Sequence, residues 1–440
     1  MRVLWGIGGM LVVLALAVAL STNRRAIRPR PVLGALAIQF VFAVVVLYWD
    51  AGQRALQAVA NGVQQVISAT DAGINFLFGP VLPEGELVFA FQVLPVIVFV
   101  ASLTAVLYHW NILQWVVRII GGGLQKVLGT SRPESLNATA NIFVGQTEAP
   151  LVIRPYIARM TRSELFAVMV GGLSTVSGSV LVGYSLLGVP LEYLIAASFM
   201  AAPGALMMAK IIMPETEHSE TAQRAAPATA PASGHAAADG DGQARVGEDQ
   251  PHETSETDPA GDPEAEVTKH RNVIDAAASG ASDGLRLALN VGAMLLAFIS
   301  LIKLLNIMLG AIGGLFGAPD ISFQMILGYV FSPVMFVIGV PWSEAIEAGS
   351  FLGQKLILNE FVAFSNFGPQ IGEFSDKAAT IITFALTGFA NFGSLAILLG
   401  GLGSIAPNRR GQIAQLGIRA VLGGTLANLM SAAIAGILIG

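Results

Sequence analysis

Apolar side chains gather into eight stretches of the chain, near residues 3–20, 33–49, 87–108, 164–187, 191–213, 287–315, 381–402 and 413–439. Each approaches the ~20 residues that a helix needs to cross the hydrocarbon core of a bilayer. The pattern therefore predicts an all-α integral membrane protein with eight transmembrane helices. Two further apolar regions, near 133–157 and 322–372, are interrupted by Pro, Gly and acidic residues and fit no clean span. They predict two re-entrant helical hairpins, since irregular backbone at membrane depth persists only where protein or a wet cavity surrounds it.

Composition agrees. Hydrophobic residues make up 54% of the 440, charged residues only 12%, and mean hydropathy is +0.67. A soluble enzyme or a nucleic-acid binder would carry about a quarter charged residues, so both are disfavoured. The absence of Cys removes disulfides, thiolate catalysis and Cys metal sites. The first apolar stretch contains signal-like Ala-x-Ala triplets at Ala15–Ala17 and Ala17–Ala19. The Arg24, Arg25, Arg28, Arg30 cluster that follows reads instead as a stop-transfer flank, so an uncleaved helix is expected.

Charge then orients the spans. The positive-inside rule puts Arg24–Arg30 in the cytoplasm, with both termini outside a cytoplasmic (inner) membrane, and the segment bearing Asp71, Glu84 and Glu86 outside. Arg118, Lys126 and Arg132 precede the first interrupted region; Arg154 at its end and Arg159 and Arg162 beyond it form a second basic group. A full span between would separate two groups that both belong inside, whereas a hairpin entering from the cytoplasm and returning keeps them together. The stretch 214–272 carries 13 acids against 4 bases and four of the five His, with no apolar periodicity. It reads as a disordered cytoplasmic loop; the wide spacing of His218, His235, His252 and His270 matches no metal-ligand pattern.

With a second hairpin at 322–372 entering from outside, the chain contains two similar units of opposite orientation. Each is a hairpin followed by a span: 133–157 with 164–187, and 322–372 with 381–402. Inverted units of this kind build a site at the bilayer midplane in alternating-access transporters. The organisation expected is N-terminal scaffold helices (1–110), a first transport half (111–213), the acidic loop (214–272), a scaffold helix at an oligomer core (273–318), a second transport half (319–402) and a last span (403–440).

Candidate chemistry lies in these units. The first hairpin carries Asn141, Gly145, Gln146, Thr147, Glu148 and Pro150; the second carries Asn359 and Glu360. A carboxylate among apolar residues costs about 2.5–3.5 kcal/mol unless it faces a polar cavity or a partner. Two of them, one per inverted hairpin, predict a wet site. The following spans are interrupted by small and hydroxyl residues at Gly171–Val180 and Gly388–Ser394. Such residues commonly serve close helix packing, but an unwound turn there would also free carbonyls and hydroxyls. Oxygens without fixed charge suit a monovalent hard cation such as Na⁺, whereas Mg²⁺ or Ca²⁺ sites use carboxylates.

The segments GQTEAPL, NEFVAF and GFANFGSLAI, with GGGLQKVLGTSR at 121–132 and LGGLGS at 399–404, closely resemble the concentrative nucleoside transporter family over nearly the whole chain except the acidic loop. The resemblance implies a homotrimer with eight spans, two hairpins and interfacial helices in each protomer, importing nucleosides as a cation-driven symporter. It implies that Gln146, Thr147, Glu148 and Val180 face the nucleobase, and that Glu360, Phe389, Asn391 and Ser394 hold the ribose. It also implies a co-transported sodium ion between Asn141, Val144, Thr175 and Val176, and no organic cofactor. Retention of Asn141 and Thr175 favours sodium over protons, the alternative within the family. Gly393 and Phe364 stand where Ser and Tyr are common, which removes two hydroxyls near the site. The rival outside the family is an intramembrane enzyme using Glu148 and Glu360; the clustered Asp expected of a lipid-phosphate transferase is missing outside the acidic loop.

Overall fold

The computed structural model describes residues 2–82, 88–219, 221 and 271–439. In chain order the helices are α1 (Arg2–Ala19), α2 (Pro29–Ala43, continued by a π turn over Val44–Tyr48), α3 (Asp50–Ser68), α4 (Thr70–Phe78), α5 (Phe89–His109) and α6 (Ile112–Leu128). The first hairpin follows as α7 (Arg132–Ala140) and α8 (Arg154–Ile157), then α9 (Arg162–Ser174), α10 (Gly178–Leu186) and α11 (Leu191–Ile212). Beyond the acidic segment come α12 (Val273–Gly314), α13 (Phe323–Val337), α14 (Trp342–Ile357), α15 (Glu360–Phe367), α16 (Asp376–Leu386), α17 (Phe392–Ile405) and α18 (Arg410–Leu438).

Among the described residues six helices are long and apolar enough to cross a membrane, α2 with its π turn, α5, α9–α10, α11, α12 and α18; the shorter α1 and the α16–α17 pair stand where the other two of the eight expected spans fall. Two of the eight are broken in the middle, at 175–177 and 387–391. The apolar window of α9–α10 is 94% buried, that of α12 only 11%. The first is therefore surrounded by protein and the second lies at the periphery. α12 packs on α5 through Gly280 and Gly284, where an added Cβ would stand 2.6 and 2.7 Å from Cβ of Ala105 and Ala101. Small residues four apart let two apolar helices approach closely without a hydrophobic driving force between them.

α3 and α6 are surface helices. α6 buries Leu113, Val117, Gly121, Leu124 and Leu128, which lie three or four residues apart on one stripe, while Trp115 and Ile119 are exposed. α1 is fastened at its start, where the Trp5 indole donates to the Phe336 carbonyl at 2.9 Å.

Three boundaries differ from the sequence pattern. The region 322–372 contains three helices rather than two arms. α13 and α14 meet at 117° across a turn in which Gly339 has φ +116°, a left-handed conformation suited to Gly. The acid-bearing tip is the separate break between α14 and α15, where the Asn359 side chain caps α15 by accepting from Val362 N–H at 2.8 Å. Gly339 and Pro341 interrupt the apolar run as strongly as the tip does, so hydropathy shows one broken stretch. Next, α12 begins at Val273 rather than near 287, because Asn272 caps it and polar Asp275, Asp283 and Arg286 extend the helix beyond its apolar window.

The third difference concerns the acidic segment, of which residue 220 and residues 222–270 lie outside the described residues. Its first residues are fastened rather than disordered. α7 and α9 both open with capping boxes, Ser131 with Glu134 and Thr161 with Glu164, and both glutamates are buried. Their remaining oxygens need donors. Lys210 pairs with Glu134; Ser219 donates to Glu164 at 2.5 Å, and Thr221 also donates to Glu164. Glu215 accepts from the Thr161 hydroxyl at 2.8 Å and lies 3.7 Å from the Lys210 ammonium.

Candidate substrate and cation site

Each broken span stops for a local reason and leaves carbonyls without an intrahelical donor. α9 ends at Thr175, which turns extended and whose hydroxyl donates back to Gly171 O at 2.9 Å. α16 ends the same way at Thr387, whose hydroxyl donates to Thr383 O at 2.7 Å. The helices restart behind new N-termini: α10 follows Ser177, and α17 is capped by Asn391, which accepts from Ser394 N–H at 2.6 Å. The two breaks cross and touch, since Phe389 N–H donates to Thr175 O at 3.2 Å. The first break also meets the tip of the first hairpin, where Gly178 N–H donates to Phe143 O at 3.1 Å. Thr175 and Phe389, expected site residues of opposite units, thus meet at one crossing.

On the second-unit side, Glu360 is buried and both of its oxygens are engaged. One accepts from the Tyr184 hydroxyl at 3.1 Å and the other from Asn391 Nδ2 at 2.8 Å. The carboxylate is thereby held between α10 of one unit and α17 of the other. Each oxygen keeps a further acceptor direction. Ser394 is buried and Phe389 half-buried beside this group. An added Cβ at Gly393 would lie 3.3 Å from Asn391 Oδ1, a close contact that a shift of a few tenths of an ångström relieves. Phe364 is buried and stacks on Tyr184 with ring centroids 4.3 Å apart. A hydroxyl is therefore present next to Glu360 after all, supplied by Tyr184.

On the first-unit side, Gln146 is buried against Gly172, and its Oε1 has no hydrogen-bond partner. Thr147 packs against Gly401 of α17. Glu148 is exposed; its carboxylate accepts from Gly145 N–H of its own tip at 3.1 Å. Val180 is buried in the first turn of α10. Asn141 is fully buried next to Gly171 on α9, and its Nδ2 donates to Asn137 O at 2.9 Å. Its Oδ1 has no partner. Val144, Thr175 and Val176 are buried with it. A buried amide oxygen without a donor is costly by itself, and a cation between the hairpin tip and the break would satisfy it. No group of three or more His, Cys, Asp or Glu able to hold a metal ion occurs among the described residues, so neutral oxygens are what this place offers an ion.

Three participants escape the sequence pattern: Tyr184, Lys355 and Asn428. Asn428, in the middle of α18, donates from Nδ2 to Ser174 O at 2.7 Å and to Thr387 O at 2.8 Å, bridging the two breaks. Its Oδ1 accepts from the buried Lys355 ammonium at 2.8 Å, which also donates to Ala385 O at 2.7 Å. A Tyr, a Lys and an Asn inside apolar runs each mark a polar partner at depth, which is the signal that could have found them.

The comparisons with known proteins fit this geometry. The family description "Na+ dependent nucleoside transporter C-terminus" matches residues 193–436, its N-terminal counterpart matches 8–81, and "Nucleoside recognition" (Gate) matches 90–190. The chain belongs to the Na+ dependent nucleoside transporter family. It is 53% identical to a Bacillus subtilis (strain 168) uncharacterized transporter, YutK, over 100% of both chains. It is 44% identical to the nucleoside permease NupC of Helicobacter pylori, over 99% of this chain and 98% of that one. A solved structure of CNTnw in an inward-facing substrate-bound state superposes with a TM-score of 0.87 at 49% identity, over 100% of this chain and 98% of that one. The transporter is thus a multi-pass membrane permease by family and not an enzyme, and Glu148 and Glu360 are not an acid–base pair of an intramembrane catalyst.

Proposed function

We propose that the protein is a symporter that imports nucleosides across the cytoplasmic membrane, drawing on the sodium gradient. The observation that carries this reading is the unpartnered, buried Oδ1 of Asn141, next to a helix break whose neighbouring hairpin presents the unpartnered Oε1 of Gln146. Sodium would sit between Asn141, Val144, Thr175 and Val176. The nucleobase would lie toward Gln146, Thr147, Glu148 and Val180, where amide and carboxylate can pair with base edges. The ribose would lie toward Glu360, Asn391, Ser394 and Phe389, because vicinal hydroxyls donate and a carboxylate accepts strongly.

Alternating access would move the two transport halves, 111–213 and 319–402, against a scaffold of 1–110 and 273–318, with 403–440 as the last span. The exposed apolar face of α12, with Leu289, Leu296, Leu304 and Ile307, supports its place at the core of a homotrimer. The orientation with Arg24–Arg30 and 214–272 cytoplasmic and both termini outside is supported by contacts between the basic segments. Arg30 donates to Lys126 O at 2.7 Å, and Arg409 to Met160 O at 2.8 Å.

The driving force suffices. One charge crossing about 100 mV releases roughly 2.3 kcal/mol, and a tenfold sodium gradient adds about 1.4 kcal/mol. Together, about 3.7 kcal/mol sustains on the order of 500-fold accumulation of a neutral solute. Uptake of radiolabelled uridine and adenosine into proteoliposomes, with Na⁺ or choline outside, tests the reading. Accumulation above the external concentration with Na⁺ alone is expected; equal uptake in choline would make the protein a facilitator, and uptake following a proton gradient in choline would make it proton-coupled.

A further inference from the structure

The two inverted units treat the same physical problem differently. In each, a helix ends in mid-span with its carbonyl end, where the partial negative charge of the helix dipole favours a cation. α9 ends at Thr175 and α16 at Thr387, both in extended backbone and both with the hydroxyl turned back four residues. Both ends are stitched to Asn428, through Ser174 O and Thr387 O. Each is met by the first arm of its hairpin: α7 with Asn141 in the first unit, α14 with Lys355 in the second.

The residue presented differs. Asn141 offers a neutral oxygen that has no partner. Lys355 offers an ammonium, fully buried, that donates to Ala385 O at 2.7 Å and to Asn428 Oδ1 at 2.8 Å. Fully burying a lysine with no carboxylate in hydrogen-bond contact is expensive unless the place itself is electronegative. The carbonyls that the end of α16 leaves without intrahelical donors make it so: Ala385 O and, through Asn428, Thr387 O surround the Lys355 nitrogen.

We propose that Lys355 is a built-in cation of the second unit, a positioning residue that does permanently for the α16 break what a bound sodium ion does transiently for the α9 break. The inference rests on the symport reading above. Its consequence is that the second unit has no room for an ion, so that the first unit alone couples to sodium. One ammonium, held through Ala385 O and Asn428, keeps the break in register with Glu360 and Asn391 without a second ion.

The test is the ratio of ²²Na⁺ to labelled uridine flux in proteoliposomes, with the sodium dependence of uptake, for the wild type, Lys355→Asn and Lys355→Met. In the wild type the ratio should be one and the sodium dependence hyperbolic. Asn would leave a cavity and a neutral oxygen at the carbonyl cluster, as in the first unit. Lys355→Asn should therefore lose at least about tenfold in uptake at low sodium, consistent with loss of a buried charge-assisted contact, and recover at high sodium with a sigmoidal dependence and a ratio approaching two. Lys355→Met, which offers no such oxygen, should lose uptake at every sodium concentration. An assembled Lys355→Asn protein that keeps a ratio of one, or that sodium does not rescue, would overturn the proposal. If neither variant assembles, the wild-type ratio still decides: a value of two requires the second ion that Lys355 is argued to replace. Loss of sodium dependence in the wild type itself would instead refute the symport reading.

Discussion

Replacing Glu360 by Gln perturbs the proposed ribose end of the site with little disturbance to its scaffold. The carboxylate accepts from Asn391 Nδ2 at 2.8 Å and from Tyr184 at 3.1 Å. Gln can keep its oxygen toward Asn391, and the Tyr184 hydroxyl can rotate to accept from the new amide. The ring of Tyr184 stays fixed by its stack on Phe364. The loss therefore falls on the substrate, whose hydroxyls exchange a charged acceptor for a neutral one. That is worth roughly 1–2 kcal/mol, or about a 5- to 30-fold drop in affinity, similar for uridine and adenosine because they share the ribose. Glu148→Gln should act unequally on the two, because Glu148 is proposed to face the base. The assay is competition of each nucleoside, and of 3′-deoxy analogues, against labelled uridine uptake. A 3′-deoxy analogue should lose its disadvantage in Glu360→Gln, the contact being already weakened. Equal discrimination in mutant and wild type would show that Glu360 does not hold the ribose and that the assigned orientation of the nucleoside is wrong.

Other outcomes follow from the same contacts. Asn141→Ala and Thr175→Ala each remove a neutral oxygen from the proposed ion shell, so the sodium concentration for half-maximal uptake should rise while uptake at saturating sodium changes less; unchanged sodium curves in both would place the ion elsewhere. Asn428→Ala leaves Ser174 O, Thr387 O and Lys355 each short of a partner, and at about 1–3 kcal/mol per buried unsatisfied group should cost roughly 3 kcal/mol or more, visible as a lowered melting temperature in detergent. Deleting 223–268 behind a short Gly/Ser linker should leave assembly and uptake near wild type, whereas extending the deletion to Ser219 and Thr221 should lower stability by exposing Glu164 to the loss of both donors.

Hydropathy was enough to locate the long apolar helices and the interrupted first hairpin, because bilayer thickness acts on composition. It could not locate the tip of the second hairpin, because Gly339 and Pro341 break the same apolar run 18 residues or more before Asn359 does. The polar residues of the hairpins and breaks were legible as chemistry because carboxylates and amides are conspicuous in apolar sequence. Lys355 and Asn428 were not, since their role depends on carbonyls that become free only once α9 and α16 end at Thr175 and Thr387. The same holds for Tyr184, whose hydroxyl compensates for Phe364 from a different helix. Ser219 and Thr221 sit in a stretch that composition alone marks as unstructured, and only the second oxygen of a buried capping glutamate shows why they are held.

Sodium and a nucleoside, bound at one crossing of two broken helices as proposed, should help each other to bind. Equilibrium binding of labelled uridine to the purified protein, titrated against Na⁺ at constant ionic strength, measures this directly. Linkage requires that sodium tighten uridine by the same factor by which uridine tightens sodium, typically about 5- to 150-fold for such couplings. A Kd for uridine that falls as Na⁺ rises in the wild type, and stays flat in Asn141→Ala, is the predicted result. A wild-type Kd that is the same in Na⁺ and in choline would contradict it.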